Sequence, residues 1–179
     1  MRLIWLDLET TGLDPYKHSV LEVAVAEADF LDPFNAKVIC HGVTWFHPGL
    51  VETLDPFIVN MHTKNGLFKE CRDEEKALDL FEIQNMLLDL IPFVEDKDER
   101  PILAGSSIHF DHDFIKIHMK KLNERLSHRH YDVSALKLFC QSRGMPKFKK
   151  AEAHRAIDDI LESIEHAKAC EEWLKTNLR

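Results

Sequence analysis

"LIWLDLETTGLD", residues 3–14, begins as an apolar run typical of a buried β-strand and continues into two carboxylates, Asp7 and Glu9, separated by one residue. Side chains two positions apart on a strand leave the same face, so both carboxylates would project to one side of a sheet. A charge in an apolar strand is unfavourable unless it is paired or binds a cation. The stretch therefore predicts either a metal site or, more simply, a strand that ends at the Thr11-Gly12 turn with Glu9 in solvent.

The rest of the chain is typical of a mixed α/β layered domain. Residues 20–30 alternate with period two, and residues 36–46 follow the turn signal Asp32-Pro33, so three sequential strands predict an antiparallel meander. Later segments predict a helix over 74–94 that Pro92 ends or kinks, a strand at 101–106, a helix over 113–126, a strand and a helix within 130–144 capped by Asp132 or Ser134, and a helix over 156–174.

Composition excludes several classes of protein. The 179 residues suffice for one domain, and 23 basic against 31 acidic residues give a net charge of -8, which argues against wrapping long nucleic acid. The four scattered cysteines form no C-x-x-C pair and therefore indicate neither a zinc knuckle nor a disulfide framework. We see no secretory signal and no apolar run near the ~18 residues of a membrane span, so we expect a cytoplasmic protein without membrane contact.

Two later stretches add acids and a histidine. In "GSSIHFDHDF", residues 105–114, Asp111 lies at the start of a helix, where an isolated aspartate is most often an N-cap. In "HRAIDD", residues 154–159, His154 precedes a helix whose first turn carries Asp158 and Asp159, where acids interact favourably with the helix dipole. Helical periodicity does not choose between the two aspartates, since both lie off the apolar stripe.

Together these residues resemble the DEDDh exonucleases, a family with a ribonuclease-H-like fold in which four acids hold two divalent metals. Within that family the likeness is greatest to the oligoribonuclease branch. It runs through "LIWLDLETTGLDP" (3–15), "MHTKNGL" (61–67), "GSSIHFD" (105–111), "YDVSALK" (131–137) and "HRAIDDILES" (154–163). The resemblance implies a ribonuclease-H-like mixed sheet flanked by helices, a single exonuclease domain over 1–179, and a homodimer. The implied activity is 3'-5' hydrolysis of very short RNA to 5'-mononucleotides.

The resemblance also assigns the site. Asp7, Glu9, Asp111 and Asp159 would hold two Mg²⁺ or Mn²⁺ ions, and the family's spacing of five after the histidine selects Asp159. Two cations about 3.5–4 Å apart can compensate charge on the attacking and leaving oxygens of a phosphodiester, and hard oxygen ligands suit these ions. His154 would accept a proton from the attacking water, because imidazole exchanges protons near neutral pH.

Substrate contacts are implied in the same way. A nuclease that cleaves very short chains needs side chains that stack on the bases and contacts that bind the 5' end. Leu13 maps to an apolar wedge and Phe57 to an aromatic platform, with core packing as the alternative for both. The remaining implied contacts are Thr11, His62, Ser107, His128, Arg129 and Ser134. Basic residues in 116–130 and 143–155 indicate phosphate contact or, more simply, solvated helix faces.

Three positions depart from the family pattern. Thr10 stands where the branch has Met, Ser106 where it has Asn, and His128 where it has a tyrosine that reaches the site of the neighbouring protomer. Thr10 makes "ETTG" similar to proofreading DNA exonucleases. Three functions therefore remain open: an exonuclease on short RNA, the same chemistry on short single-stranded DNA, and an inactive nucleic-acid-binding module.

Overall fold

The structure is a computed structural model that describes residues 1–149 and 154–177. Within these residues a six-stranded mixed sheet has the order β4-β3-β2-β1-β5-β6. Its strands are β1 (Arg2–Thr10), β2 (Val20–Asp29), β3 (Asp32–Thr44), β4 (Ala77–Leu78), β5 (Ile102–Gly105) and β6 (His130–Asp132). Strands β1 to β3 form the predicted antiparallel meander, whereas β4, β5 and β6 each pair in parallel.

Helices cover both faces of this sheet. They are a 3₁₀ helix (Pro48–Thr53), α1 (Pro56–Lys64), α2 (Leu67–Glu70), α3 (Leu80–Leu90), α4 (His109–His118), α5 (Lys120–Asn123), α6 (Val133–Gln141) and α7 (Ala156–Asn177). None of the described helices is long and apolar enough to cross a membrane. The predicted mixed α/β architecture, with three antiparallel strands and further strands flanked by helices, is confirmed.

Strand β1 is the centre of the core. Ile4 and Leu6 pack on one face against α3, α4 and α5, while Leu3 and Trp5 pack on the other against α6 and α7. A strand covered on both faces has no side that faces water, which explains its nearly continuous apolar sequence. The two acids of the opening stretch lie within this strand, since β1 continues to Thr10. The strand ends just before the Thr11-Gly12 turn, as expected, but the expectation that Glu9 lies in solvent is wrong, because Glu9 is buried.

The helix predicted over 74–94 begins later than expected. Asp79 caps α3 and forms a capping box with Glu82, so the helix starts at Leu80 and ends at Leu90, just before Pro92. Residues 77–78 instead pair with β3 as strand β4. The capping box satisfies backbone N–H groups of the first turn, and this local signal decides the start over the apolar period.

Other boundaries also differ from the predictions. Strand β3 begins at Asp32 and includes Pro33, which is tolerated because β4 pairs only with the far end of β3. The helix predicted over 113–126 is two helices, α4 and α5, separated at Met119, and α4 begins four residues early. Helices α1 and α2 were not predicted. Of the two candidate caps for α6, Asp132 accepts hydrogen bonds from the N–H groups of Ser134 and Ala135.

Candidate active site

The site forms where the sheet opens between β1 and β5. Pairing of these strands stops at Trp5 and Ala104, and β5 ends at Gly105, whereas β1 runs on. Beyond that point the Leu8 N–H donates to Oδ1 of Asp111 at 2.9 Å. Asp111 lies buried in the first turn of α4, and the helix N-cap is Ile108, so the N-cap interpretation of Asp111 is wrong. Its carboxylate takes the place of the missing strand partner.

Three carboxylates converge on the α7 face of β1. One oxygen each of Asp7, Glu9 and Asp159 lies within 4.8 Å of the others. Asp7 and Glu9 share a face of β1, as their spacing predicts, and Asp159 comes from the first turn of α7. The neighbouring Asp158 is exposed. Of the two aspartates that periodicity left open, the fold therefore brings Asp159 to the cluster.

Burial and mutual repulsion shape the electrostatics of these acids. Burial raises the pKa of Asp7 well above its usual range, and the charges of Asp111, Asp159 and Glu9 act in the same direction. Burial likewise raises the pKa of Glu9 to about 8 and that of Asp111 to about 7, although the hydrogen bond from Leu8 opposes the second shift. Crowded, desolvated carboxylates favour proton uptake or cation binding. Hard oxygen donors at this spacing fit a divalent metal ion.

His154 lines the same cavity as Asp7 and Asp159. The cavity has a volume of about 360 Å³ and is bordered by Asp7, His154, Asp159 and Ser134. His154 has φ +46°, a left-handed conformation that is uncommon for residues other than glycine. The structure thus assembles a histidine and a carboxylate cluster from the two ends of the chain, as the sequence predicted.

Further side chains, most of them polar, border this cavity and were not among the predicted site residues. They are Ser106, Lys137, Phe148, Lys149, Glu162, Ser163 and His166. Helical spacing could have found several of them, because Lys137 lies one turn after Ser134. Glu162, Ser163 and His166 likewise follow Asp159 by three, four and seven residues on one face of α7. Ser106, which replaces the family's Asn, shares a 2.9 Å hydrogen bond with Ser163.

The two apolar residues assigned to base stacking are exposed. Leu13 is 74% exposed and Phe57 is 67% exposed, so the alternative of core packing is wrong for both. Thr11 is buried, and its hydroxyl accepts from the Ser19 N–H at 2.9 Å within the loop. His62 is also buried, and its Nε2 donates to the Thr10 carbonyl at 3.1 Å. A substrate role for these four residues stays a prediction.

The remaining predicted contacts fall into two groups. Ser107 and Ser134 are together, because their hydroxyls form a 3.0 Å hydrogen bond. His128 lines a different cavity, of about 400 Å³, and Arg129 forms a 2.9 Å ion pair with Asp98. Within one chain the structure does not bring these last two to the carboxylate cavity. In the basic stretch 143–155, Lys149 borders that cavity, and residues 150–153 lie outside the described part of the chain.

Comparisons with known proteins agree with this geometry. The model of the exonuclease family (RNase T type) matches residues 4–167. An oligoribonuclease of Corynebacterium glutamicum (strain R) is 39% identical over 171 residues, which cover 91% of this chain and 75% of the relative. An oligoribonuclease of Actinobacillus pleuropneumoniae is 34% identical over 173 residues, 93% of this chain and 90% of the relative.

Solved structures of exonuclease I share the fold. A product-bound exonuclease I matches with a TM-score of 0.62 and 11% identity, covering 99% of this chain and 44% of that one. E. coli exonuclease I in complex with a dT13 oligonucleotide matches with a TM-score of 0.65 and 14% identity, covering 98% and 42%. The chain thus spans less than half of these exonuclease I chains, and the likeness supports the ribonuclease-H-like fold. By its family model and its curated relatives, the chain belongs to the exonuclease family, in its oligoribonuclease branch, and is a nuclease.

Proposed function

We propose that this chain is a metal-dependent 3'-5' exonuclease that degrades short single-stranded RNA to 5'-mononucleotides. The observation that carries the proposal is the convergence of Asp7, Glu9 and Asp159 within 4.8 Å. Asp7 and Asp159 border a cavity that His154 also borders. The names of the curated relatives support RNA as the substrate.

The acids would hold two divalent cations, Mg²⁺ or Mn²⁺. An oxygen of Asp7 lies within 4.8 Å of oxygens of both Glu9 and Asp159, and Asp7 would be the ligand that both ions share, as the family resemblance implies. Asp111 adds further negative charge near Asp7, since its charge raises the pKa of Asp7. Bound cations would activate water and compensate the charge that develops on the phosphodiester oxygens.

The protein's own groups position the substrate and move the proton. His154 would accept the proton of the attacking water at a ring nitrogen. The exposed side chains of Leu13 and Phe57 offer apolar surfaces against which bases can stack. The paired hydroxyls of Ser107 and Ser134 can donate to phosphate oxygens near the cavity. Together these contacts could hold an RNA substrate of only a few nucleotides.

The two adjacent aspartates of α7 give a matched test. We expect Asp159→Asn to lower kcat at least 100-fold with Mn²⁺, because it removes a ligand charge, and Asp158→Asn to stay within twofold of wild type, because Asp158 is exposed. The assay uses labelled RNA and DNA oligomers of matched sequence, from two to about ten nucleotides. Rates are compared by length, metal and sugar.

Each outcome has one meaning. Wild-type protein that cleaves none of these oligomers with either metal would be the inactive binding module and not a nuclease. Faster cleavage of DNA than of matched RNA would show the substrate preference to be wrong. Equal loss in Asp158→Asn and Asp159→Asn would remove Asp159 from the metal site.

A homodimer is the second part of the proposal. It is supported by the placement of His128 and Arg129, which are exposed and lie outside the carboxylate cavity of their own chain. Light scattering measures the mass directly. A monomer that cleaves dinucleotides at full rate would contradict this part and leave the chemistry intact. Cytoplasmic location and a single domain over 1–179 stay predictions from the sequence.

A further inference from the structure

A second ionic cluster lies beside the carboxylate site. Its centre is Glu22 of β2, which is 1% exposed and stands opposite Glu9 in the β1–β2 register. Glu22 accepts from His41 Nε2 at 2.7 Å and from the Ala156 N–H at 3.1 Å. Arg155 donates to both carboxylate oxygens at 2.9–3.2 Å. A buried carboxylate with this many donors is satisfied as an anion.

Arg155 is held from a second side by Glu70. The guanidinium donates from Nη1 at 3.0 Å and from Nη2 at 2.8 Å to the two oxygens of Glu70, the last residue of α2. A planar guanidinium bound by two carboxylates has little rotational freedom. Arg155 therefore ties the sheet, α2 and the start of α7 together at one point.

The residues around Arg155 belong to the catalytic site. His154 comes directly before it, with φ +46° and a carbonyl that accepts from Nδ2 of Asn65, the residue that ends α1. The Arg155 carbonyl accepts from the Asp159 N–H at 3.0 Å. A left-handed conformation at a residue other than glycine costs about 1 kcal/mol or more and persists where neighbouring contacts enforce it. The contacts that can enforce it here are those of Arg155 and Asn65.

We propose that Arg155, clamped between Glu22 and Glu70, is a positioning residue that holds His154 in its left-handed conformation toward the cavity of Asp7 and Asp159. A purely stabilising role is the weaker explanation, because buried ion pairs contribute little net stability. Here Glu22 also binds the Ala156 N–H, so the pair fixes the backbone directly after Arg155. The inference deepens the proposed function and rests on it for the role of His154.

The clamp predicts a loss in turnover without a matching loss in binding. Arg155→Gln should lower kcat at least tenfold, while KM for a dinucleotide and the Kd of Mn²⁺ stay within about threefold. Arg155→Lys should recover part of kcat, since lysine restores the charge but not the two-sided fork. The matched control is Arg2→Gln. This variant breaks the ion pair between Arg2 of β1 and Glu27 of β2, far from the site. Its kcat should stay within twofold of wild type.

A second readout needs neither metal nor turnover. In metal-free protein the ring ¹H–¹³C NMR signal of His154, assigned through His154→Gln, should shift in Arg155→Gln and stay in place in Arg2→Gln. The Ala156 amide should also exchange faster with solvent in Arg155→Gln. If wild type cleaves no oligomer, the proposed function fails, and this readout still decides whether the clamp exists.

The proposal is overturned by specific results. It is wrong if folded Arg155→Gln keeps wild-type kcat, if the His154 signal does not move, or if Arg155→Lys falls as low as Arg155→Gln. Should Arg155→Gln not melt cooperatively, Glu70→Gln takes its place, because Glu70 is the more exposed partner of the clamp. Glu70→Gln should lower kcat about threefold and shift the same signal, and wild-type values in both would refute the clamp.

Discussion

Asp111 has two separable tasks, one of charge and one of hydrogen bonding. Its Oδ1 accepts from the Leu8 N–H, which lies beyond the last residue of β1 that pairs with β5. We expect Asp111→Asn to keep the acceptor and an unfolding free energy within about 1 kcal/mol of wild type. Asp111→Ala should lose about 1–3 kcal/mol, because a buried donor is left unsatisfied.

Urea denaturation of metal-free protein measures this difference, and both variants should lose activity. Equal unfolding free energies for the alanine and asparagine variants would show that water replaces the carboxylate at Leu8. The sequence predicted an N-cap or a metal ligand at Asp111 and did not reveal its hydrogen bond to the backbone of β1. The bond from Leu8 to Asp111 spans 103 positions, and nothing local in either stretch reveals it.

At the scale of elements, the gap between β1 and β5 depends on close packing at Gly105. A Cβ at this position would lie 2.8 Å from the Leu6 carbonyl oxygen. We expect Gly105→Ala to lower the unfolding free energy by about 1–3 kcal/mol through overpacking and to reduce kcat by displacing α4 with Asp111. Gly66→Ala cannot serve as the control for Gly105→Ala, because Gly66 has positive φ and an alanine there would be strained. The control is Gly49→Ala in the exposed 3₁₀ helix.

Thermal melts and dinucleotide turnover test both glycine variants. If Gly105→Ala keeps the wild-type melting temperature and kcat, β1 and β5 can move apart to accept the methyl group without a loss of stability. If Gly49→Ala loses as much stability, the effect is not specific to the strand gap.

The elements that sequence predicted best are those whose partners are local or whose pattern is unambiguous. Strand β1 follows from its apolar run, β2 from its period-two alternation and β3 from the run after the Asp32-Pro33 signal, and α7 follows from its apolar stripe. The start of α3 was missed because Asp79 and its capping box lie inside a stretch with helical period. The division of 113–126 at Met119 reflects tertiary packing, since Met119 is buried in the core beneath β1.

Across the whole molecule, stability and metal binding should be linked through protons. The folded pKa values of Glu9, about 8, and Asp111, about 7, lie above the usual values of 4.5 and 3.8. A raised folded pKa adds stability that is complete below the unfolded value and is lost as pH rises through the folded one. The melting temperature of metal-free protein should therefore fall as the pH rises from about 5 to about 8.

Mn²⁺ should reverse that loss, most strongly near the upper end of the range, because it replaces protons on the same oxygens. Melting curves with EDTA and with Mn²⁺ across pH check this, and calorimetry in buffers of different ionisation enthalpy counts the protons released. Glu9→Gln should flatten the metal-free profile. A melting temperature that rises with pH in EDTA would contradict the expected sign.

Glu22 contributes to the pH dependence of stability in the opposite direction to Glu9 and Asp111. Hydrogen bonds from His41 and Arg155 outweigh the effect of burial and lower the pKa of Glu22 to about 2.

The hydrogen bond from Leu8 to Asp111 has a consequence for synthesis. The acids at positions 7 and 9 leave the ribosome first, whereas Asp111 follows 102 residues after Glu9 and Asp159 follows 150 residues after Glu9. At ~5–20 residues per second the interval lasts roughly ten seconds or more. Throughout it, the nascent chain is tethered beside its own messenger RNA with an incomplete set of metal ligands. A nuclease whose metal ligands are spread over 150 residues cannot act on RNA until the last of them has been synthesised.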